Sequence, residues 1–407
     1  MRRAALVLAL LSVGAACSEP ARPARSPVSQ ARVYTRPAWL PAYEARQQAL
    51  LDTPPQVPVD QLATPVYPDL ERFTYGSSRP FARDAAVAIA ARIRQRVETS
   101  PLLYSLRLAD ATLANPIAQY GPPPPSEPDP WVRTVRSGDR YELRWARPGP
   151  VARLHVESAN RALIGGDSAT ARDELRAAAE ADPQVPALWV ALGRVHAAAL
   201  DDAAAESAFL EALGVDERYF DAHLELALLY ERRGDSTDVR AAIAQALAIH
   251  PVSPRALEVA RHLGQLQDAP RLPPVFVEVG RTGAIVVGTS GSAGARAYAT
   301  CHAAFRHEPA LRSQLLESPV DTPYHLSLTE ELLCVESFLV SVDPQDASER
   351  QAGERLDELA ERGQLPAFVM FGVLGPHRPE WLRLAPDALF SQVVDHVTLH
   401  VLPIASQ

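Results

Sequence analysis

Whatever chemistry this chain performs would have to come from a few side chains in its last third. Cys301 and His302 are adjacent, His307 lies five residues further on, and Glu330 and Glu331 come shortly before Cys334. His396 and His400 are four apart, which puts both on one face of either a helix or a strand. Two such imidazoles are a start for a metal site, but zinc takes three or four protein ligands and the spacing specifies no third. His302 and His307 do not align on a helical face. No cysteine stands three residues before Cys301, so the haem attachment pattern is absent. Glu330 and Glu331 are neighbours that diverge on a helix, which argues against a carboxylate pair sharing a proton. The run GTSGSAG over 288–294, between a strand and a helix, has the shape of an anion cradle, because amide N–H groups at a helix start point outward. It lacks the Gly-Lys-Ser/Thr that would follow in a phosphate loop, the glycine spacing of a dinucleotide turn and the Gly-x-Ser-x-Gly elbow of a hydrolase, and it reads as a connection. Every basic residue is Arg and there is no Lys, which excludes a Schiff-base or phosphate-loop lysine. The expectation is no catalytic residue, no metal and no cofactor.

These residues need a scaffold. The Gly-rich run leads into a helix over 295–306, and Ser327-Leu-Thr-Glu330 is a capping box opening the helix that carries Cys334. A charged helix follows over 346–362. Residues 275–279 and 284–288 are β-branched runs joined by Gly280-Arg-Thr-Gly283, and 368–373 and 393–402 also read as strands. Together they predict a C-terminal α+β domain over 269–407. Its six histidines after residue 300 and its Gly-rich turn motivate an alternative in which this domain is catalytic and the preceding segment positions the substrate. Glycan or peptidoglycan binding is a further alternative.

That preceding segment, 152–251, repeats with a period of 34 residues. Leu192, Gly193, His196, Ala205, Phe209 and Ala212 recur one period on as Leu226, Ala227, Tyr230, Val239, Ile243 and Ala246. One period back, Gly193, Ala205, Phe209, Ala212 and Asp216 fall on Ala159, Ala171, Leu175, Ala178 and Asp182. Small residues at fixed offsets are what two antiparallel helices need to approach closely. Gly166-Asp167 and Gly234-Asp235 supply the turns within pairs, although the middle copy has Leu200-Asp201 there. The pattern resembles the tetratricopeptide repeat (TPR) family and predicts three repeats over 149–268, with a capping helix near 254–266. The resemblance implies that the first helix of each repeat lines a concave groove for a peptide or protein partner. Projected onto this chain, that face carries Arg153, Val156 and Asn160, then Val190 and Arg194, then Asp221, Leu224, Leu228 and Arg232. The fuller basic set of carboxylate-clamping TPR proteins is missing. With Arg194 and Arg232 reversed to Glu, the groove reading expects partner capture to be lost and the fold kept.

The N-terminus, MRRAALVLALLSVGAACSEP, has two arginines, an apolar run too short to span a bilayer permanently, and small residues before Cys17. It resembles the bacterial lipoprotein signal, which implies export and lipidation of Cys17, and therefore a membrane anchor, in the outer membrane facing the periplasm or with release into the periplasm. Pro-rich 18–68 would then be an extended tether. Residues 69–120 read as a helical segment, with one helix over 81–97 and another opened by Ser100-Pro101 and running to about residue 113. Residues 121–148 read as a stiff Pro-rich spacer, GPPPPSEPDP, followed by a β-hairpin around Ser137-Gly138-Asp139. With Cys17 as the anchor, Cys301 and Cys334 remain as an even pair in an oxidising compartment and read as a disulfide; a reactive thiol or a metal ligand pair is the rival.

At 407 residues, with 47% hydrophobic and 22% charged residues, the chain has room for two or three globular domains. Its formal charge of −9 lacks the basic footprint of a nucleic-acid binder. The reading is a mostly α protein: a TPR helical-hairpin solenoid with a C-terminal mixed α/β (α+β) domain, acting as a non-catalytic scaffold in the cell envelope.

Overall fold

The computed structural model describes residues 83–402, apart from 109–123, 139, 263–265, 268, 269, 317, 318, 322, 323 and 325. The leader with Cys17 and the tether over 18–68 lie outside the described residues. Helix α1 (Arg83–Glu98) precedes strand β1 (Tyr104–Leu108) and the hairpin of β2 (Val132–Ser137) with β3 (Arg140–Trp145). Six helices follow: α2 (Pro150–Ile164), α3 (Ser168–Ala181), α4 (Pro186–Ala198), α5 (Asp202–Val215), α6 (Phe220–Arg233) and α7 (Ser236–Ile249). Then come α8 (Pro254–His262), β4 (Phe276–Val279), β5 (Ile285–Thr289), α9 (Ala293–His307), α10 (Pro309–Leu316), α11 (Leu328–Leu339) and α12 (Ala347–Glu361). Helix α13 (Leu365–Phe368) continues as a π-helical stretch, Val369–Leu374, and α14 (Pro379–Leu384) follows. Last, α15 (Asp387–His396) runs on π-helically over Val397–Val401.

Helices α2 to α7 pack as three consecutive hairpins, with α8 against the last. The alanines of the period are the reason: Ala159, Ala171, Ala178, Ala205, Ala212 and Ala246 have no exposed surface, so the helix axes approach to where a larger side chain would clash. Pro starts α2, α4 and α8, where its missing N–H costs nothing. Asp167 and Asp201 cap α3 and α5 by accepting from Thr170 N (3.0 Å) and Ala204 N (3.3 Å). The turn before each second helix needs a left-handed residue, with φ of 79° at Gly166 and 80° at Gly234. At the same repeat position Leu200 takes φ 61°. The fold is mostly α, with helical hairpins of the TPR type and a C-terminal region that adds a small sheet.

That sheet has the order β1-β5-β4, with β5 parallel to β1 (Tyr104↔Ile285 to Leu108↔Thr289) and antiparallel to β4. The helix expected from Ser100-Pro101 is therefore corrected: Tyr104–Leu108 is a strand. Tyr104-Ser-Leu-Arg-Leu108 alternates in the period of two, and its partner lies 181 residues away in the Tyr104↔Ile285 pair (285 − 104), beyond any local signal. Glu308, buried at the end of α9, holds this segment by accepting from Arg96 Nε (2.7 Å), Tyr104 Oη (2.9 Å) and Ser100 Oγ. The strands expected over 368–373 and 393–402 are also corrected, because both runs are helical. Val369, Met370, Leu374, Val393, Val397 and Leu402 are wholly buried, and short apolar runs rich in β-branched residues fit a buried helix face as well as a strand. All described residues belong to one compact unit, Thr53–Gln407, and the apolar core passes without a break from the third repeat into the C-terminal region.

A buried arginine joins the two. Arg218, in the turn before α6, stacks between Tyr141 of β3 (3.8 Å to the ring centre) and Phe390 of α15 (4.2 Å). It donates to the backbone carbonyls of Arg383 (2.9 Å) and Ala385 (2.5 Å) and pairs with Asp387. Asp216, two residues earlier, accepts from Thr134 N (2.7 Å), so the β2–β3 hairpin is held to the repeats as well.

Candidate functional site

The face projected as the groove holds a four-residue ion network in the second and third repeats and α8. Arg194 of α4 meets Glu225 (Nε to Oε1, 2.8 Å) and Asp221 (3.3 Å) of α6. Arg255 of α8 meets the same two carboxylates from the other side, at 3.1 Å to Asp221 and 3.3 Å to Glu225. Two guanidinium groups and two carboxylates cancel in charge, which is what lets them sit in a shielded place. The projection named Arg194 and Asp221 and missed Glu225 and Arg255. The missed pair was readable: Glu225 is one helical turn beyond Asp221, and Arg255 is one 34-residue period beyond it.

The rest of the projected groove divides by repeat. In the first, Arg153 is exposed and Asn160 half-buried, while Val156 is buried in the packing of α2. In the second, Val190 is buried. In the third, Leu224 is fully buried and Leu228 half-buried. Arg232 turns to the preceding repeat, donating to Ala197 O (3.0 Å) and pairing with Asp202. Arg194 and Arg232 are thus both engaged within the chain, so reversing them acts on the fold as well as on any ligand. Only Arg153 and Asn160 of the projected polar residues face outward without one of these ion pairs.

Two features of the C-terminal region look chemical in sequence. His302 of α9, 2% exposed, lies between Glu330 (Nδ1 to Oε1, 3.8 Å) and Glu331 (Nε2 to Oε2, 3.4 Å) of α11. Glu330 and Glu331, expected to point apart, come together at one imidazole, each meeting a different nitrogen. Tyr324 Oη donates to Glu330 (2.7 Å), and Tyr298 Oη donates to Glu331. Burial pulls the His302 pKa down, but the two carboxylates outweigh it and raise it to about 9. Burial also pushes Glu330 up. Ser327 Oγ does cap Glu330 N (3.1 Å), while the Glu330 carboxylate is spent on this buried centre. Beside it, Cys301 and Cys334 stand at disulfide distance (2.10 Å between sulfurs) and join α9 to α11.

The Gly-rich turn is an anion cradle whose anion is internal. Glu349 of α12, 5% exposed, accepts from Ala295 N (2.7 Å), Gly294 N (3.2 Å) and Ser292 Oγ at the start of α9, and from Asp343 N (2.9 Å). A β-carbon on residue 294 would meet this carboxylate at 2.9 Å. His396 packs near the rings of Phe368 and Phe371 (6.0 Å each), and burial lowers its pKa to about 3. Among the described residues, no three His, Cys, Asp or Glu side chains are grouped to hold a metal ion, and no helix is long and apolar enough to cross a membrane.

No protein-family model matches the chain, and no curated protein does. Among solved structures, the Arabidopsis OM64 TPR domain is similar at 17% identity over 28% of this chain and 93% of that one, with a TM-score of 0.27. The repeat assignment stands on the 34-residue period and the three hairpins themselves.

Proposed function

We propose that this is an exported, non-catalytic interaction scaffold, anchored through a lipid on Cys17 at the outer membrane, whose repeats hold a protein or peptide partner in the cell envelope. The observation behind the binding role is the contrast between repeats. The inner faces of the second and third are filled by the chain's own contacts, whereas the first leaves Arg153 and Asn160 accessible. With Ile164, which is 87% exposed, they follow one line along α2 at spacings of seven and four. A peptide laid along that line finds an apolar anchor, a guanidinium suited to a carboxylate, and an amide that donates and accepts. Export and anchoring rest on the leader, where a cysteine directly follows a short apolar run and small residues.

The test is capture from envelope extract by the full chain and by the Arg153→Glu, Ile164→Asp double variant. Both positions face solvent, so the fold is kept and capture is expected to fall at least tenfold. Equal capture by a folded double variant removes the first-repeat surface. Anchoring is read separately: Cys17→Ser is expected to move the protein from the membrane fraction to the soluble one.

A further inference from the structure

Residues 124–130, PPSEPDP, have the composition of a spacer, yet they are seated on the repeats. The carbonyl of Pro125 accepts from His250 Nε2 (3.2 Å), and that of Pro130 accepts from Tyr219 Oη (2.8 Å). Between them, both oxygens of Glu127 accept from Ser253 Oγ (3.0 and 3.1 Å). Ser253 also caps α8, accepting from Ala256 N (3.2 Å), so the Glu127 carboxylate lies at the start of that helix, where backbone dipoles favour an anion. Arg255 adds its charge to the same place.

What this surface recognises is defined by what fills it. A Pro-rich stretch has few N–H donors of its own and so leaves carbonyls for a partner. Here the strap bends at Ser126 and Glu127, and the Asp129 carbonyl accepts locally from Val132 N (3.2 Å). Tyr219 and His250 take two such carbonyls, and Ser253 with the helix start takes the Glu127 carboxylate, while Asp129 accepts from Trp131 N within the strap (2.9 Å). Tyr219, His250 and Ser253 come from the turns before α6 and α8, so they are set by the repeat geometry and do not depend on the strap.

We infer that Tyr219, His250, Ser253 and Arg255 form a binding site for a Pro-rich peptide with a Pro-Ser-Glu-Pro core, filled here in cis by residues 124–130 and open to a like segment of a partner protein when that strap lifts. The inference rests on the reading of the repeats as an interaction scaffold and names a ligand for it. Covalent linkage gives the strap a local concentration on the order of millimolar, so a partner segment competes once the strap is weakened. The seat in cis is imperfect, since burial raises the Glu127 pKa against the opposing pull of Arg255 and Ser253.

The experiment uses the full chain and a labelled synthetic peptide with the sequence of residues 124–131, followed by fluorescence anisotropy. Pro125→Gly, Glu127→Ala and Pro128→Gly together weaken the strap without touching the receiving residues. This variant is expected to bind the peptide at least tenfold more tightly than the unaltered chain. A peptide with Ala in place of its glutamate is expected to lose at least tenfold. A variant with unchanged circular dichroism that binds neither peptide, or binds both alike, overturns the site. Capture through Arg153 and Ile164 is a separate measurement, so this site can fail while the scaffold reading stands, and the reverse.

Discussion

The ring of Phe209 fills the space that a side chain on residue 193 would enter: a β-carbon there would fall 2.4 Å from Phe209 Cε1. This contact sets how closely α4 and α5 pack, and Phe209 itself has no exposed surface. Gly193→Ala must push the helices apart or displace a fully buried ring. The expected cost is roughly 2–3 kcal/mol, the scale of overpacking in a filled core. Chemical denaturation checks it: the midpoint falls while the slope stays the same.

The second repeat should be open to improvement at its turn. Leu200 holds φ 61° where the other two repeats have glycine, and its side chain is 75% exposed, so it gains little from packing. A left-handed backbone costs an L-residue about 1–2 kcal/mol, partly offset by the extra freedom glycine has when unfolded. Leu200→Gly is expected to stabilise by about 1 kcal/mol, read as a raised melting temperature.

Four buried histidines give stability a pH dependence with opposite limbs. His302 has a folded pKa of about 9, above its unfolded value near 6.5, so its contribution is complete below about pH 6.5 and is lost as pH rises through about 9. Burial lowers His223 and His250 to about 4 and His396 to about 3, so their contribution is present above about pH 6.5 and lost as pH falls towards 4. His302→Gln is expected to lose less stability than the unaltered chain between pH 6.5 and 9. His396→Phe should flatten the acid limb between pH 6.5 and 4. Parallel slopes across either window would show that the named histidine is not the titrating group.

Glu349 is expected to be structural. Removing its carboxylate leaves Gly294 N, Ala295 N and Asp343 N without their acceptor in a buried turn. Glu349→Ala should cost about 2–3 kcal/mol. Glu349→Gln, which keeps one acceptor oxygen, should recover part of that. Added phosphate that fully restored the melting temperature of Glu349→Ala would instead mark the turn as an anion site awaiting a ligand.

How much could be read in advance follows from distance along the chain. Ala205, Phe209 and Ala212 announce a helix by spacings of three and four, and their recurrence 34 residues on announces the pairing, because each repeat touches its neighbour. Cys301 and Cys334 were readable as a pair because few partners were available. Tyr104–Leu108 was not readable as a strand, since its ladder partner comes after the whole array. Residues 369–374 and 397–401 differ for another reason: a short apolar run rich in β-branched residues fits a largely buried helix as well as a strand.

Spacing alone specified the helical hairpins and the small residues where they touch, because backbone geometry forces neighbours three, four or one period apart into contact. Tertiary packing alone decided which distant polar groups meet: Glu349 at the Gly-rich turn, both glutamates on His302, and Glu127 against Ser253. A carboxylate carries no mark of a partner that folding brings from far along the chain.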